Sequence, residues 1–390
     1  MQVDWIEAAA PRRSGRAIFE HESAAVSLGD ALELLEGMPS NSIDSCVTDP
    51  PYELGFMGKE WDGTGVAFSV EFWRRVLRVL KPGAHLVAFG GTRTYHRMTC
   101  AIEDAGFEVR DSLHWFYGTG FPKSLNVGEG RGTALKPGHE PIVLARKPLE
   151  GTVAANLATW GTGALNIDAC RIGTDDTRSA RNTPTPGFNM RAGVVCGSAS
   201  GRWPANVLLD EGAAAELDSQ TEHLRTGGTL KGGEGRERAI VSPLDLGPRS
   251  AWVPYGDSGG ASRFFYVAKP GRSERDLGCD HLPAMSGGEA TDREDGSAGT
   301  KTPRAGAGRN GGARNFHPTV KPVELMRHLV RLVTPPSGQV LDPFTGSGST
   351  GVAAVLEGRR FVGFELTEDY APIIAGRLQA ALDGRFGKVG

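Results

Sequence analysis

The chain has 390 residues, a formal net charge of −3 at pH 7 and 39% hydrophobic residues. This length allows a large buried core and two structural regions, and the charge excludes a strongly basic nucleic-acid-binding protein. The five cysteines form no CxxC pair and no cluster with histidine, which argues against a disulfide framework and predicts no metal site.

No apolar run approaches the length of a membrane span, and the N-terminus does not resemble a signal peptide. We therefore expect a cytoplasmic protein that makes no contact with a membrane. The 55 glycines predict many loops, or stretches that become ordered only with a partner.

The first part of the chain alternates short apolar runs with amphipathic segments. Residues 1–20 show little pattern and are expected to form a loose N-terminal arm. Strands alternating with helices indicate a parallel sheet with helices on both faces. The pattern predicts strands at 25–30, 43–47, 84–89, 107–115 and 141–145, and helices at 31–36, 69–80 and 94–105.

A stiff turn follows the buried strand predicted at 43–47 and consists of Asp49, Pro50, Pro51 and Tyr52. Two prolines fix the backbone and leave the turn with acceptors but no proline N–H. In an open α/β sheet this edge is where ligands bind. Here the aspartate and a proline carbonyl could accept hydrogen bonds from an amino group while the tyrosine covers a flat ring. Adenine and cytosine are flat bases of this kind.

The pattern changes between about residue 118 and residue 315. The stretches 173–202, 226–262 and 286–315 are rich in Gly, Ser, Thr and Arg and have little periodicity. We expect an irregular insertion at 151–315, because the strand at 141–145 still belongs to the sheet. Regular structure then returns, with helices predicted at 321–333, 351–356 and 368–382 and strands at 339–342 and 360–364.

A glycine-rich turn at 342–350 joins a strand to a helix. Gly346 and Gly348 would let backbone N–H groups approach a ligand closely, and a helix N-terminus favours negative charge. Glu365 ends the next strand, where an acid can accept both hydroxyls of a ribose. This order of strand, glycine turn, helix, strand and acid predicts half of a nucleoside-binding site. The alternative interpretation is an ordinary tight turn between a strand and a helix. No Walker A lysine follows, which disfavours phosphoryl transfer.

Together the two motifs resemble those of the amino-group DNA methyltransferases that use S-adenosylmethionine, in the class with permuted motif order. In that class an Asp-Pro-Pro-Tyr motif comes early, a Phe-x-Gly-x-Gly loop comes late, and a target-recognition region lies between them. The stretch 315–322, Asn-Phe-His-Pro-Thr-Val-Lys-Pro, is also similar. The resemblance covers about 22–150 and 315–382.

The resemblance implies an α/β, Rossmann-like methyltransferase fold with a mostly parallel, doubly wound sheet. It assigns 22–150 to a catalytic half, 151–315 to an inserted target-recognition region and 316–384 to a cofactor-binding half. The expected partner is double-stranded DNA, and a homodimer and a cognate restriction enzyme are further candidates. A prokaryotic or phage-encoded protein is implied. The permuted order predicts that the strands before the two motifs are neighbours, so that both motifs face one crevice.

The resemblance also implies roles for individual residues. Asp49 and the Pro50 carbonyl would bind the exocyclic amino group, and Tyr52 would stack on a base flipped out of the duplex. Asp342 would lie near the methionine ammonium or a bridging water, and Glu365 would bind the ribose hydroxyls. The implied cofactor-binding residues are Asp30, Thr319, Lys321, Asp342, Phe344, Gly346, Ser347, Gly348 and Glu365.

Three of these cofactor assignments have structural alternatives. Asp30 would contact the cofactor adenine or would cap the helix that follows it. Thr319 and Lys321 would reach the methionine carboxylate or would only start the helix predicted at 321–333.

The leading hypothesis is site-specific methylation of adenine N6, because Asp rather than Ser opens the first motif. Cytosine N4 is the close alternative. An RNA or protein acceptor and a DNA-binding module without catalysis are the other readings, the last disfavoured by two intact motifs. No cysteine lies in a Pro-Cys setting, which argues against a cytosine-C5 enzyme.

Overall fold

The computed structural model describes residues 15–55, 60–118, 126–173, 201–221, 259–268, 274–285 and 313–388. The strands are β1 (Arg16–His21), β2 (Ala24–Leu28), β3 (Ile43–Thr48), β4 (Leu80–Phe89), β5 (Glu108–Phe116), β6 (Asn126–Gly128), β7 (Arg131–Gly132), β8 (His139–Arg146), β9 (Val207–Asp210), β10 (Tyr266–Ala268), β11 (Gln339–Asp342) and β12 (Arg360–Glu365). The α-helices are α1 (Ala31–Gly37), α2 (Val70–Val79), α3 (Tyr95–Asp104), α4 (Val153–Trp160), α5 (Glu211–Thr221), α6 (Val323–Val333), α7 (Ser349–Leu356) and α8 (Ala371–Leu382).

One sheet in the described part of the chain has ten strands in the order β1-β2-β12-β11-β3-β4-β8-β5-β9-β10. The strands from β2 to β4 in this order are parallel. A second parallel group, β5-β9-β10, follows on the other side of β8. The predicted α/β class with a mostly parallel sheet is therefore confirmed. The predicted neighbourhood is also confirmed, because β11 pairs directly with β3.

The central strands lie between two apolar layers. Every residue of β3 and of β11 is buried, as expected for parallel strands covered by helices on both faces. On one face, α2 is capped by Ser69, whose hydroxyl accepts the Phe72 N–H at 3.2 Å, and it buries Phe72 and Trp73 completely. Each such side chain stabilises the fold by roughly 2 kcal/mol. On the opposite face, α6, α7 and α8 pack together.

The N-terminal prediction was wrong for residues 16–20. This segment forms β1, an edge strand paired antiparallel with β2. Alternation is weak in β1 because it is an edge strand with mostly exposed or half-buried side chains. Residues 1–14 lie outside the described residues.

The sheet also contains strands and directions that the sequence pattern did not predict. β8 was expected as a strand, but it runs antiparallel to both β4 and β5. β9 and β10, of four and three residues, come from within 151–315 and extend the sheet beyond β5. Most of the stretches 173–202, 226–262 and 286–315 lies outside the described residues. No helix in the described ranges is long and apolar enough to cross a membrane.

Candidate functional site

The two sequence motifs meet at one edge of the sheet. The parallel strands β3 and β11 are adjacent, so the turns that follow them emerge side by side. A hydrogen bond of 2.7 Å from the Thr48 hydroxyl to Asp342 Oδ1 joins the two strand ends. A cavity of about 700 Å³ opens there. Its lining includes Asp30, Asp49, Pro50, Pro51, Tyr52, Glu140, His317, Thr319, Lys321, Asp342, Phe344, Gly346, Ser347 and Glu365.

The turn after β3 contacts the segment that follows the neighbouring strand β4. The Thr94 hydroxyl donates to the Tyr52 carbonyl at 2.7 Å. Gly91 lies under the Tyr52 ring, where a Cβ would come within 3.2 Å of Tyr52 Cδ2. A side chain at Gly91 would therefore crowd the edge of the tyrosine ring, and the glycine leaves room for it.

Asp49 lies in a partly buried cluster of charged groups that the sequence did not predict. Lys321 Nζ is 2.6 Å from Asp49 Oδ2 and 3.4 Å from Glu140 Oε2. The Tyr52 hydroxyl donates to Glu140 Oε2 at 2.8 Å. Asp49 Oδ1 is buried and has no hydrogen-bond partner in the described part of the chain. A buried acceptor of this kind is costly unless a ligand supplies a donor.

Burial and mutual charge determine the ionisation of this cluster. Burial raises the pKa of Asp49, and the Lys321 ammonium opposes that shift. For Lys321, burial lowers the pKa, but Asp49 and Glu140 outweigh it, so that the pKa is raised. Burial also raises the pKa of the Tyr52 hydroxyl, with further increases from Asp49 and Glu140.

The glycine turn after β11 is shaped by close backbone contacts. Gly346 has φ +54°, and a Cβ there would lie 2.8 Å from His317 Nε2. Its N–H donates to Glu365 Oε2 at 2.7 Å. Phe344 packs against Phe72 of α2, with ring centroids 5.2 Å apart, and so one wall of the cavity rests on the core.

The two acids of this half are buried and titrate unusually high. Burial raises the pKa of Glu365 to about 7, against hydrogen bonds from the Thr367 and Gly346 N–H groups. Burial raises the pKa of Asp342 to about 6, against hydrogen bonds from Thr350 and Thr48. Perturbed carboxyl groups that line a cavity are typical of binding and catalytic sites.

Of the remaining sequence-predicted residues, Asp30, Thr319 and Ser347 line this cavity, whereas Gly348 is not part of its lining. Asp30 Oδ1 caps α1 by accepting the N–H groups of Leu32 at 2.8 Å and Glu33 at 3.3 Å, and its exposed side chain also borders the cavity. Capping and ligand contact are thus compatible. Thr319 is exposed at the cavity. Gly348 is the N-cap of α7, and Ser347 is buried beside it.

Sequence reasoning missed several residues of this site. Glu140 appeared only as the residue before a predicted strand, and Thr94 only as a helix start. His317 lay in a recognised stretch but received no role. It is buried, and burial together with Lys321, Arg275 and Arg377 lowers its pKa to about 3. A polar residue beside a predicted strand end was the only local signal available for Glu140.

Comparison with known proteins identifies a family for most of the chain. The profile of the N6_N4_Mtase family, described as DNA methylase, matches residues 43–376. This match includes the turn after β3, the glycine turn after β11 and the strands between them.

Individual relatives match shorter stretches. The chain is 39% identical over 82 residues to Type II methyltransferase M.ScaI of Streptomyces caespitosus, which is 21% of this chain and 27% of the relative. It is 40% identical over 65 residues to DNA adenine methyltransferase YhdJ of Escherichia coli (strain K12), which is 17% and 22% of the two chains. The chain thus spans about a quarter of the length of these relatives.

A solved structure titled PvuII DNA methyltransferase (cytosine-N4-specific) aligns over 96% of both chains, with a TM-score of 0.48 and 17% sequence identity.

Proposed function

This chain belongs to the DNA methylase family, and we propose that it transfers a methyl group from S-adenosylmethionine to the N6 amino group of adenine at a specific site in double-stranded DNA. The observation that carries the proposal is that Asp49 lines the same cavity as the glycine turn and that its Oδ1 has no hydrogen-bond partner among the described residues. An amino group is the donor that this oxygen lacks.

The residues after β11 and β12 suit S-adenosylmethionine. Glu365 ends β12 at the cavity and can accept hydrogen bonds from ribose hydroxyls. The backbone of the glycine turn borders the cavity at Gly346 and Ser347, just before α7, and Phe344 offers an apolar face. Asp342 supplies a carboxylate for an ammonium. When bound, S-adenosylmethionine supplies an electrophilic methyl group.

Asp49 and Pro50 act on the acceptor. The lone pair of an exocyclic amino nitrogen is conjugated with the ring, which makes it a poor nucleophile. Hydrogen bonds from this amino group to Asp49 Oδ1 and the Pro50 carbonyl favour a tetrahedral nitrogen and so release the lone pair. The acceptors are fixed before the base arrives, by β3 and the two prolines, and preorganised acceptors lower the barrier most effectively.

Tyr52 receives the base after it leaves the duplex. Its ring lines the cavity next to Asp49, and its hydroxyl is fixed by Glu140. Stacking on a held aromatic ring compensates part of the cost of flipping the base.

Adenine is favoured over cytosine by two features. The first motif begins with Asp rather than Ser, and the relative YhdJ carries the name DNA adenine methyltransferase. Cytosine N4 remains the alternative acceptor, since it offers the same amino group on a flat ring. A homodimer and a cognate restriction enzyme are further proposals, and the described residues favour neither.

Long-read methylation mapping tests this function. The protein is expressed in a methylation-deficient host, with Asp49→Ala expressed beside it. We expect one sequence motif to carry N6-methyladenine, and the variant to leave it unmodified. N4-methylcytosine in the motif would establish the alternative base. Absence of any modified motif, with S-adenosylmethionine binding shown separately, would reject DNA as the acceptor.

The affinity for S-adenosylmethionine should depend on pH through Glu365. Ribose hydroxyls donate best to the ionised carboxylate, whereas the ligand-free protein keeps Glu365 protonated below about pH 7. Kd should therefore fall as the pH rises towards this value, by up to about tenfold per pH unit, and become level above it. Isothermal titration calorimetry across this range measures the effect.

Glu365→Gln is the matched control for this titration. It keeps an acceptor but cannot ionise, so its Kd should show only the remaining dependence near pH 6 from Asp342. Tighter binding at low pH, or an unchanged profile in Glu365→Gln, would contradict the assignment of Glu365 to the ribose.

A further inference from the structure

The ammonium of Lys321 lies on the side of the cavity where the methyl-accepting base is proposed to bind. Its ammonium lies 2.6 Å from Asp49 Oδ2 and 3.4 Å from Glu140 Oε2, and only 8% of its side chain is exposed. Its ammonium also lies over the Tyr52 ring, 5.4 Å from the centroid. These contacts place its ammonium among the residues proposed to hold the base, whereas its backbone carbonyl accepts the hydroxyl of Ser349 at 2.9 Å.

The cluster presents two different hydrogen-bonding groups side by side. Lys321 occupies Oδ2 of Asp49, which leaves Oδ1 as the acceptor without a partner. An ammonium has three N–H donors, and within the described part of the chain Lys321 has two carboxylate partners. Asp49 and Lys321 both line the cavity, so the acceptor without a partner and the ammonium lie next to each other there.

We propose that Lys321 donates a hydrogen bond to the ring nitrogen next to the target amino group while Asp49 Oδ1 accepts from that amino group. The inference rests on the proposed function and adds a specificity-determining residue to it. In adenine the neighbour of the N6 amino group is N1, and in cytosine the neighbour of the N4 amino group is N3; both are acceptors. Guanine offers an N–H on the Watson–Crick side of its amino group, and thymine has no amino group. The pair therefore fits the Watson–Crick edges of adenine and cytosine and not those of guanine and thymine.

Glu140 is the positioning residue of this arrangement. It contacts both Lys321 and the Tyr52 hydroxyl through Oε2. One carboxylate therefore fixes the donor that reads the edge of the base and the ring that covers its face.

The unmodified protein provides the principal test. Once the motif is mapped, duplexes are made in which the target adenine is replaced by 1-deazaadenine, which keeps the amino group and has C–H in place of N1. We expect kcat/KM to fall at least about tenfold, as for a lost hydrogen bond to a charged group.

The control substrate is 7-deazaadenine, which has C–H in place of N7 and keeps N1. It should react within about threefold of adenine. Loss of N1 also weakens pairing and eases flipping, so a decrease in rate cannot come from that step. If mapping identifies cytosine, 3-deazacytosine takes the place of 1-deazaadenine.

Two variants separate the inference from its competitors. Lys321→Met should bind S-adenosylmethionine with a Kd within about threefold of the unmodified protein, and should no longer distinguish adenine from 1-deazaadenine. Glu140→Gln should also distinguish them less well. Equal rates on adenine and 1-deazaadenine with the unmodified protein would overturn the inference while leaving adenine methylation intact. Strong loss of S-adenosylmethionine binding in a folded Lys321→Met would instead assign Lys321 to the methionine carboxylate. If that variant does not fold, the substrate comparison still decides.

Discussion

Asp49→Ala is expected to lower kcat about a thousandfold while the Kd for S-adenosylmethionine stays within about threefold of the unmodified protein. The variant removes the buried acceptor Oδ1 and with it the interaction that strengthens as the amino nitrogen becomes tetrahedral. Lys321 keeps Glu140 as a partner at 3.4 Å, so the ammonium is not left without a counter-charge. Single-turnover methyl transfer and calorimetric cofactor binding measure the two quantities.

Two further variants make this result specific. Asp104→Ala changes an exposed aspartate at the end of α3 and should leave both quantities unchanged. Asp49→Asn retains an oxygen acceptor but brings an amide next to Lys321, and we expect a rate between those of the alanine variant and the unmodified protein. Weak cofactor binding by a folded Asp49→Ala would mean that Asp49 serves the cofactor and not the base.

Tyr52→Ala is expected to reduce kcat by roughly 10- to 100-fold, the value of one base–aromatic stacking contact. The Kd for duplex DNA should change little, because contacts to phosphate dominate overall affinity. Methyl transfer under single-turnover conditions and a DNA-binding titration at fixed salt concentration give the two values. A fluorescent base analogue at the target position would report flipping directly.

Tyr52→Phe is the matched variant for the ring. It keeps the stacking surface and removes only the hydroxyl that donates to Glu140 at 2.8 Å, and we expect a loss of less than about tenfold. If the phenylalanine variant were as impaired as the alanine variant, the hydroxyl contact and not stacking would be the function of Tyr52. An effect of Tyr52→Ala confined to DNA affinity would also contradict stacking.

The fold was predicted best where strands are buried. The sequence predicted β3 and β11 as apolar runs that end in distinctive turns. Both strands are buried and lie next to each other in the middle of the sheet. Short strands were missed, because three or four residues, as in β9 and β10, give too few positions for a pattern. The direction of β8 could not be read either, since a buried strand has the same composition whichever way it runs.

The sequence by itself determined the chemistry of the two turns and their place at strand ends. Residue type and the conformational limits of proline and glycine are local properties, and the order of motifs predicted that β3 and β11 are neighbours. Only the tertiary structure decided which charges meet. Lys321 reaches Asp49 across 272 positions of the chain, and Tyr52 reaches Glu140 across 88. Such pairs depend on strand order and side-chain direction, which no local pattern encodes. For this reason the sequence pointed to the carboxylate of Asp49, whereas the structure shows which of its oxygens has no hydrogen-bond partner among the described residues.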